Sequence, residues 1–89
     1  MKRWSLEFSS EAKSDLFKLD RAIQRRIIGK LNWLLENFDT IFPSVLTAEF
    51  RDFYKLRVGD WRVIYKVDWP DYKITVSYID RRDKIYKKK

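Results

Sequence analysis

The chain contains no cysteine and no histidine. Without cysteine there is neither a disulfide framework nor a thiolate to act as nucleophile or metal ligand. Without histidine as well, a structural zinc site lacks its usual donors, and the Ser-His and Cys-His hydrolase arrangements fall away. No acidic pair has recognisable metal spacing, and no spacing marks paired carboxylates for glycoside work. No apolar run approaches the roughly 20 residues of a membrane-spanning helix. Met1-Lys2-Arg3-Trp4 leads into alternating sequence instead of a signal-peptide core. Internal repeats, interdomain linkers and low-complexity segments are also missing. The expectation is one cytoplasmic domain over residues 1–89 that needs no cofactor or metal.

What the chain has in excess is positive charge. Twenty Lys and Arg against 13 Asp and Glu leave a formal charge of +7, which favours a polyanionic partner: nucleic acid, an anionic membrane or an acidic protein. A hydrophobic content of 45%, with 17% aromatic residues, suffices for a small core.

The segment Phe53–Tyr65 organises the rest. Alternation on either side of Gly59-Asp60 predicts a β-hairpin with a tight two-residue turn, and that turn length fixes the register. Val58 then faces Trp61, Leu56 faces Val63 and Tyr54 faces Tyr65 on one side. Phe53, Lys55, Arg57, Arg62, Ile64 and Lys66 take the other side, with Arg57 directly opposite Arg62. A like-charge cross-strand pair costs about 0.2–1 kcal/mol. Four cations on two strands, with no acidic residue among them, read as an anion site, and relief of the Arg57–Arg62 repulsion should let Arg62→Ala fold almost unchanged.

Around the hairpin, Trp4, Leu6 and Phe8 alternate inward as a first strand. Ser9 or Ser10 can cap a short helix with Glu11 in its first turn and Ala12, Leu16 and Leu19 as its apolar stripe. Asp20 suits the cap of a second helix from Arg21 to about Phe38, where Ile23, Ile27, Leu31, Leu34, Leu35 and Phe38 recur at helical spacing. Trp33 lies off that stripe, near Arg26 and Lys30, and either packs on the first helix or anchors a partner. Asp39–Asp52 reads as a connection broken by Pro43. Ile74, Val76 and Tyr78 alternate as a last strand, with Thr75, Ser77 and Ile79 on its opposite face. The three terminal lysines form an electrostatic tail.

Lys, Arg and Tyr around a phosphate permit one reaction without metal. Cleavage of RNA by its own 2′-hydroxyl needs that hydroxyl deprotonated, the phosphorane charge stabilised and the leaving 5′-oxygen protonated. An arginine fork holds the non-bridging oxygens, and a lysine crowded by cations can act as base.

The run Tyr54-Lys55-Leu56-Arg57-Val58-Gly59-Asp60-Trp61-Arg62-Val63-Ile64-Tyr65, together with Asp80-Arg81-Arg82-Asp83-Lys84-Ile85-Tyr86, resembles the core and the ending of the RelE/ParE toxin superfamily. The resemblance spans nearly the whole chain. It implies an α+β fold of order β-α-α-β-β-β, a helical hairpin packed on a mainly antiparallel four-stranded sheet. For a RelE-type member it implies a type II toxin, an mRNA interferase that cuts mRNA in the ribosomal A site without metal. By position it suggests Lys55 as general base, Arg57 as phosphate stabiliser and Arg62 as holder of the transition-state phosphate. Arg82 would supply charge or a proton, and Tyr86 would stack on a substrate base. Lys66, Arg81 and Lys87 would contact RNA around them. A cognate acidic antitoxin encoded by a neighbouring gene is implied too, and Trp33, off the core stripe and ringed by Arg26 and Lys30, is the candidate anchor for it. Arg81 stands where the family often has histidine, and straight alternation along the last strand directs Arg81, in place of Arg82, onto the basic face. ParE-type members share the fold but poison DNA gyrase, and a non-catalytic basic RNA-binding module is a third reading.

Overall fold

The structure, a computed structural model, describes residues 4–40, 44–45 and 53–81. Apolar alternation at the start of the chain forms strand β1 (Ser5–Phe8), and the two helical stripes form α1 (Ser10–Phe17) and α2 (Arg21–Asn37). A two-residue strand, β2 (Ser44–Val45), interrupts the segment expected as a plain connection. The hairpin strands β3 (Tyr54–Val58) and β4 (Trp61–Asp68) and the final β5 (Lys73–Arg81) complete the fold. The sheet order is β1-β5-β4-β3-β2, parallel only between β1 and β5.

The hairpin register is the one that a two-residue turn dictates. Tyr54 pairs with Tyr65, Leu56 with Val63, Arg57 with Arg62 and Val58 with Trp61. Gly59 takes φ +60° in that turn, a left-handed conformation that glycine adopts without steric cost.

Both helices cover one face of the sheet. Ala12, Ile27, Leu31, Leu34 and Phe38 bury against Leu56, Val58, Val63, Tyr65, Ile74 and Val76, with Ile23, Leu16 and Leu19 at the margin. Ser9 caps α1, its hydroxyl accepting from the Ala12 N–H at 3.0 Å. Asp20 occupies the corresponding place before α2 but makes no side-chain cap bond, contrary to the sequence expectation. Gln24 is drawn to that junction instead, its Nε2 donating to the Leu19 carbonyl at 2.9 Å.

The last strand departs from simple alternation. Tyr65 pairs with Val76 but Ile64 pairs with Tyr78, so Ser77 is an extra residue on β5, a β-bulge. Beyond Phe8 strand β1 has ended, and the outer edge of β5 would lose its partners there. The cap of α1 and a carboxylate within the helix supply them. Ser9 N–H donates to the Val76 carbonyl at 2.9 Å. Ser9 Oγ donates to the Ser77 carbonyl at 2.7 Å, and Ile79 N–H donates to Asp15 Oδ2 at 2.9 Å. The bulge reverses the parity expected from sequence: Ile79 turns inward and is buried, while Tyr78 joins Ile64 on the opposite face.

Asp15→Ala should therefore destabilise the protein by about 1–3 kcal/mol, because a part-buried N–H loses its acceptor. Asp15→Asn retains an acceptor oxygen and should cost much less. Urea titration of both variants checks this, and equal losses would assign the effect to charge instead of to the bond.

Candidate nucleic-acid interface

The face of the sheet turned away from the helices has an apolar floor. Ile64 is fully buried there between Phe53 and Tyr78. Cations stand around it: Arg62 on β4 beside Ile64, Lys55 and Arg57 on β3, and Lys66 further along β4. The Lys66 ammonium lies 4.8 Å from the Phe53 ring centroid, a cation–π contact that holds the ring at the rim. Lys55 is half-buried, and Arg57 and Lys66 are exposed.

Arg62 differs from the others in being only 5% exposed. Its cross-strand neighbours are Arg57 on one side and Asp80 on the other. No acidic residue stands among the four cations on β3 and β4, as expected, but the bulge at Ser77 brings Asp80 of β5 opposite Arg62, where opposite charges attract. The expectation that Arg62→Ala would leave folding unchanged therefore falls, since a buried side chain beside a carboxylate is not dispensable.

Tyr78 is the residue on this face that the sequence reading missed. Its phenol pKa is raised, first by burial and then by the nearby charges of Glu11 and Asp80, so it keeps its proton at any physiological pH. It stands as a neutral hydrogen-bond donor beside the cations. The adjacent pair Tyr78-Ile79 breaks apolar–polar alternation and is the signal that would have located the bulge.

Arg81 also moves. It pairs with Trp61, and its guanidinium carbon lies 5.7 Å from the Trp61 ring centroid, on the helix side of the sheet and not on the basic face. Arg82, Tyr86 and Lys87 lie outside the described residues. Trp33 is 42% exposed, with the Lys30 ammonium 4.5 Å from its ring centroid. It borders an open groove shared with β3 and the hairpin turn.

Cations around an aromatic and aliphatic floor can hold a phosphodiester and a base together. Arginine forks address the phosphate oxygens, and rings offer stacking.

Comparison with known proteins agrees with this architecture. Residues 6–86 match the family described as the ParE toxin of type II toxin–antitoxin system, parDE. A RelE-like toxin protein of Escherichia coli is 30% identical over 84 residues, covering 92% of this chain and 86% of the relative. The toxin–antitoxin complex RelBE2 of Mycobacterium tuberculosis superposes with a TM-score of 0.78 at 21% identity, covering 90% of this chain and 99% of that one. The isolated E. coli RelE toxin gives 0.74 at 20% identity, covering 94% and 92%. The archaeal RelE–RelB complex of Pyrococcus horikoshii gives 0.71 at 24% identity, covering 90% and 96%. Two helices on one face of a mixed sheet, the hairpin motif and these matches agree, and the chain belongs to the RelE/ParE superfamily of type II toxin–antitoxin toxins.

Proposed function

We propose that this toxin is a metal-independent endoribonuclease that cuts mRNA on the ribosome. The observation that carries this reading is the outer sheet face, where Arg62 is held rigidly beside Arg57 and Lys55 over the floor of Phe53, Ile64 and Tyr78. In the proposed reaction the 2′-oxygen attacks the adjacent phosphorus and the bond to the 5′-oxygen breaks. The products are a 2′,3′-cyclic phosphate and a 5′-hydroxyl. Lys55 takes the 2′-hydroxyl proton, and Arg57 and Arg62 hold the charge that grows on the non-bridging oxygens. Arg82 or Tyr78 returns a proton to the leaving oxygen, and Tyr86 stacks on a base.

Cognate antitoxins accompany the RelE-type toxins in the complexes from M. tuberculosis and P. horikoshii. For this chain the proposed partner is an acidic antitoxin encoded by a neighbouring gene, with Trp33 as an anchor and a charge of +7 steering association.

The test is 5′-end mapping of mRNA after brief induction. New 5′-hydroxyl ends within translated codons are expected, and their absence would overturn the reading. The match to the ParE family supports the rival, a gyrase poison, which would arrest DNA replication without new RNA ends. Within the leading reading, Tyr86→Phe should keep more activity than Tyr86→Ala, because stacking needs the ring and not the hydroxyl. Equal, severe loss in both would make the hydroxyl the essential group.

A further inference from the structure

Helix α2 carries two local costs at one place. Gly29 sits in its interior, where glycine is about 1 kcal/mol worse than alanine. A Cβ added there would meet nothing within 4 Å, so close packing is not the reason for the glycine. Arg26 and Lys30, one turn apart, form a like-charge pair that weakens a helix. Both features border the groove of ≈ 470 Å³ between α2 and the β3 end of the hairpin. Arg25, Arg26, Lys30 and Arg57 line it with Trp33, and among the described residues no carboxylate does. The Arg26 guanidinium lies across the turn, with its nearest nitrogen 3.3 Å from where a Gly59 Cβ would stand.

We propose that this groove binds the sugar–phosphate backbone of single-stranded RNA, with Trp33 as the stacking platform for an unpaired base. This rests on the RNA-directed reading of the outer face, with which the groove shares Arg57. A strand leaving that face passes around the exposed Arg57 into the groove. A polyanion fits better than a folded acidic segment. Three of the four cations are arginines, whose planar forks match phosphate. The apolar lining is little more than Trp33, since Val58 is already 8% exposed in the core. That is too little for the groove by itself to repay the ordering of a disordered peptide, so an antitoxin that uses Trp33 as one anchor must take most of its contact area elsewhere. Gly29 leaves room for a backbone to approach the helix closely. An antitoxin anchored on Trp33 would exclude RNA from the groove.

The test uses the full chain and a fluorescein-labelled 2′-O-methyl dodecauridylate, which cannot be cleaved because its 2′-oxygen carries no proton. Anisotropy is measured across a salt series. Arg26→Gln and Lys30→Gln should each reduce the slope of log K against log salt by about 0.7, one phosphate contact apiece. Trp33→Ala should weaken binding roughly 5- to 150-fold, the worth of one stacked base, and Trp33→Phe should retain most of it. Gly29→Glu should stabilise the helix yet weaken binding by on the order of tenfold or more. Arg21→Gln, exposed on α2 but outside the groove, should leave the slope unchanged. Wild-type binding in the groove variants would overturn the proposal, as would an equal effect of Arg21→Gln. So would variants that lose affinity only for an acidic antitoxin peptide. Because the oligonucleotide is inert, absence of cleavage on ribosomes would refute the nuclease reading without touching this one.

Discussion

Arg62→Ala is expected to slow single-turnover mRNA cleavage on ribosomes by on the order of 10²–10³, the effect of removing one donor aimed at transition-state charge. Arg62 is suited to that task because its position is over-determined. Its stem is buried beside Ile64, and its backbone is locked between β3 and β5. A guanidinium held in place loses little freedom when it meets a phosphate, unlike the exposed Arg57. The same burial means that the variant also loses stability, by about 1–3 kcal/mol, since Asp80 loses the cation opposite it on β4. Cleavage must therefore be read at a temperature where urea titration shows the variant folded. Arg62→Lys keeps the charge but not the fork, and should fall between wild type and alanine in rate with most stability retained. A folded Arg62→Ala that cleaves at the wild-type rate would remove Arg62 from the site.

The largest stability effect is expected at Trp4. Trp4→Ala should cost about 3–5 kcal/mol, the range for deleting a buried large aromatic side chain. The ring is 5% exposed and meets Phe38, Trp69 and Tyr72 edge-on, with centroids 4.7, 5.7 and 5.3 Å away. Its Nε1 donates to Asp39 Oδ1 at 3.0 Å, tying the end of α2 to the beginning of the chain. One ring thus joins β1, the end of α2 and the β4–β5 turn, including Tyr72, which holds φ +52°. For a domain with about 5–15 kcal/mol in all, such a loss raises the unfolded fraction by on the order of 10²–10³. Trp4→Phe retains the edge contacts and gives up the bond to Asp39, so about 1 kcal/mol is expected. Thermal and urea unfolding of the two variants measure the difference, and similar midpoints for both would shift the weight from ring packing to the hydrogen bond.

How much of this was legible in advance divides by the range of the interactions involved. The hairpin was legible to the residue, because Gly59-Asp60 is a local device and a two-residue turn permits one register. The stripe of α2 was legible because Ile27, Leu31 and Leu34 repeat at the helical period whatever lies opposite. The cap of α1 was legible to within two adjacent serines for the same reason, and the structure selects Ser9, whose partner Ala12 is three residues away. From these followed the opposition of Arg57 and Arg62 and the gathering of Lys55 and Lys66 on one face.

The far side of that face was not legible. Whether β5 carries a bulge depends on where β1 stops and on Ser9 and Asp15, more than 60 residues earlier, being at hand for the freed backbone groups. Within residues 73–81 the adjacent pair Tyr78-Ile79 marks a break in alternation, but only those distant partners decide that the break is taken up as a bulge. The side-chain period of a strand is two, so one extra residue exchanged Tyr78 with Ile79, carried Asp80 to Arg62 and sent Arg81 to Trp61. The groove beside Trp33 is of the same kind, since Arg57 meets Arg26 and Lys30 only where a sheet edge and a helix come together. By itself the sequence determined the elements, the hairpin register and the sign of the charge, because each is set by neighbours in the chain. The tertiary structure alone decided which side chains share a surface with Arg62, because a bulge satisfied from another element resets strand parity.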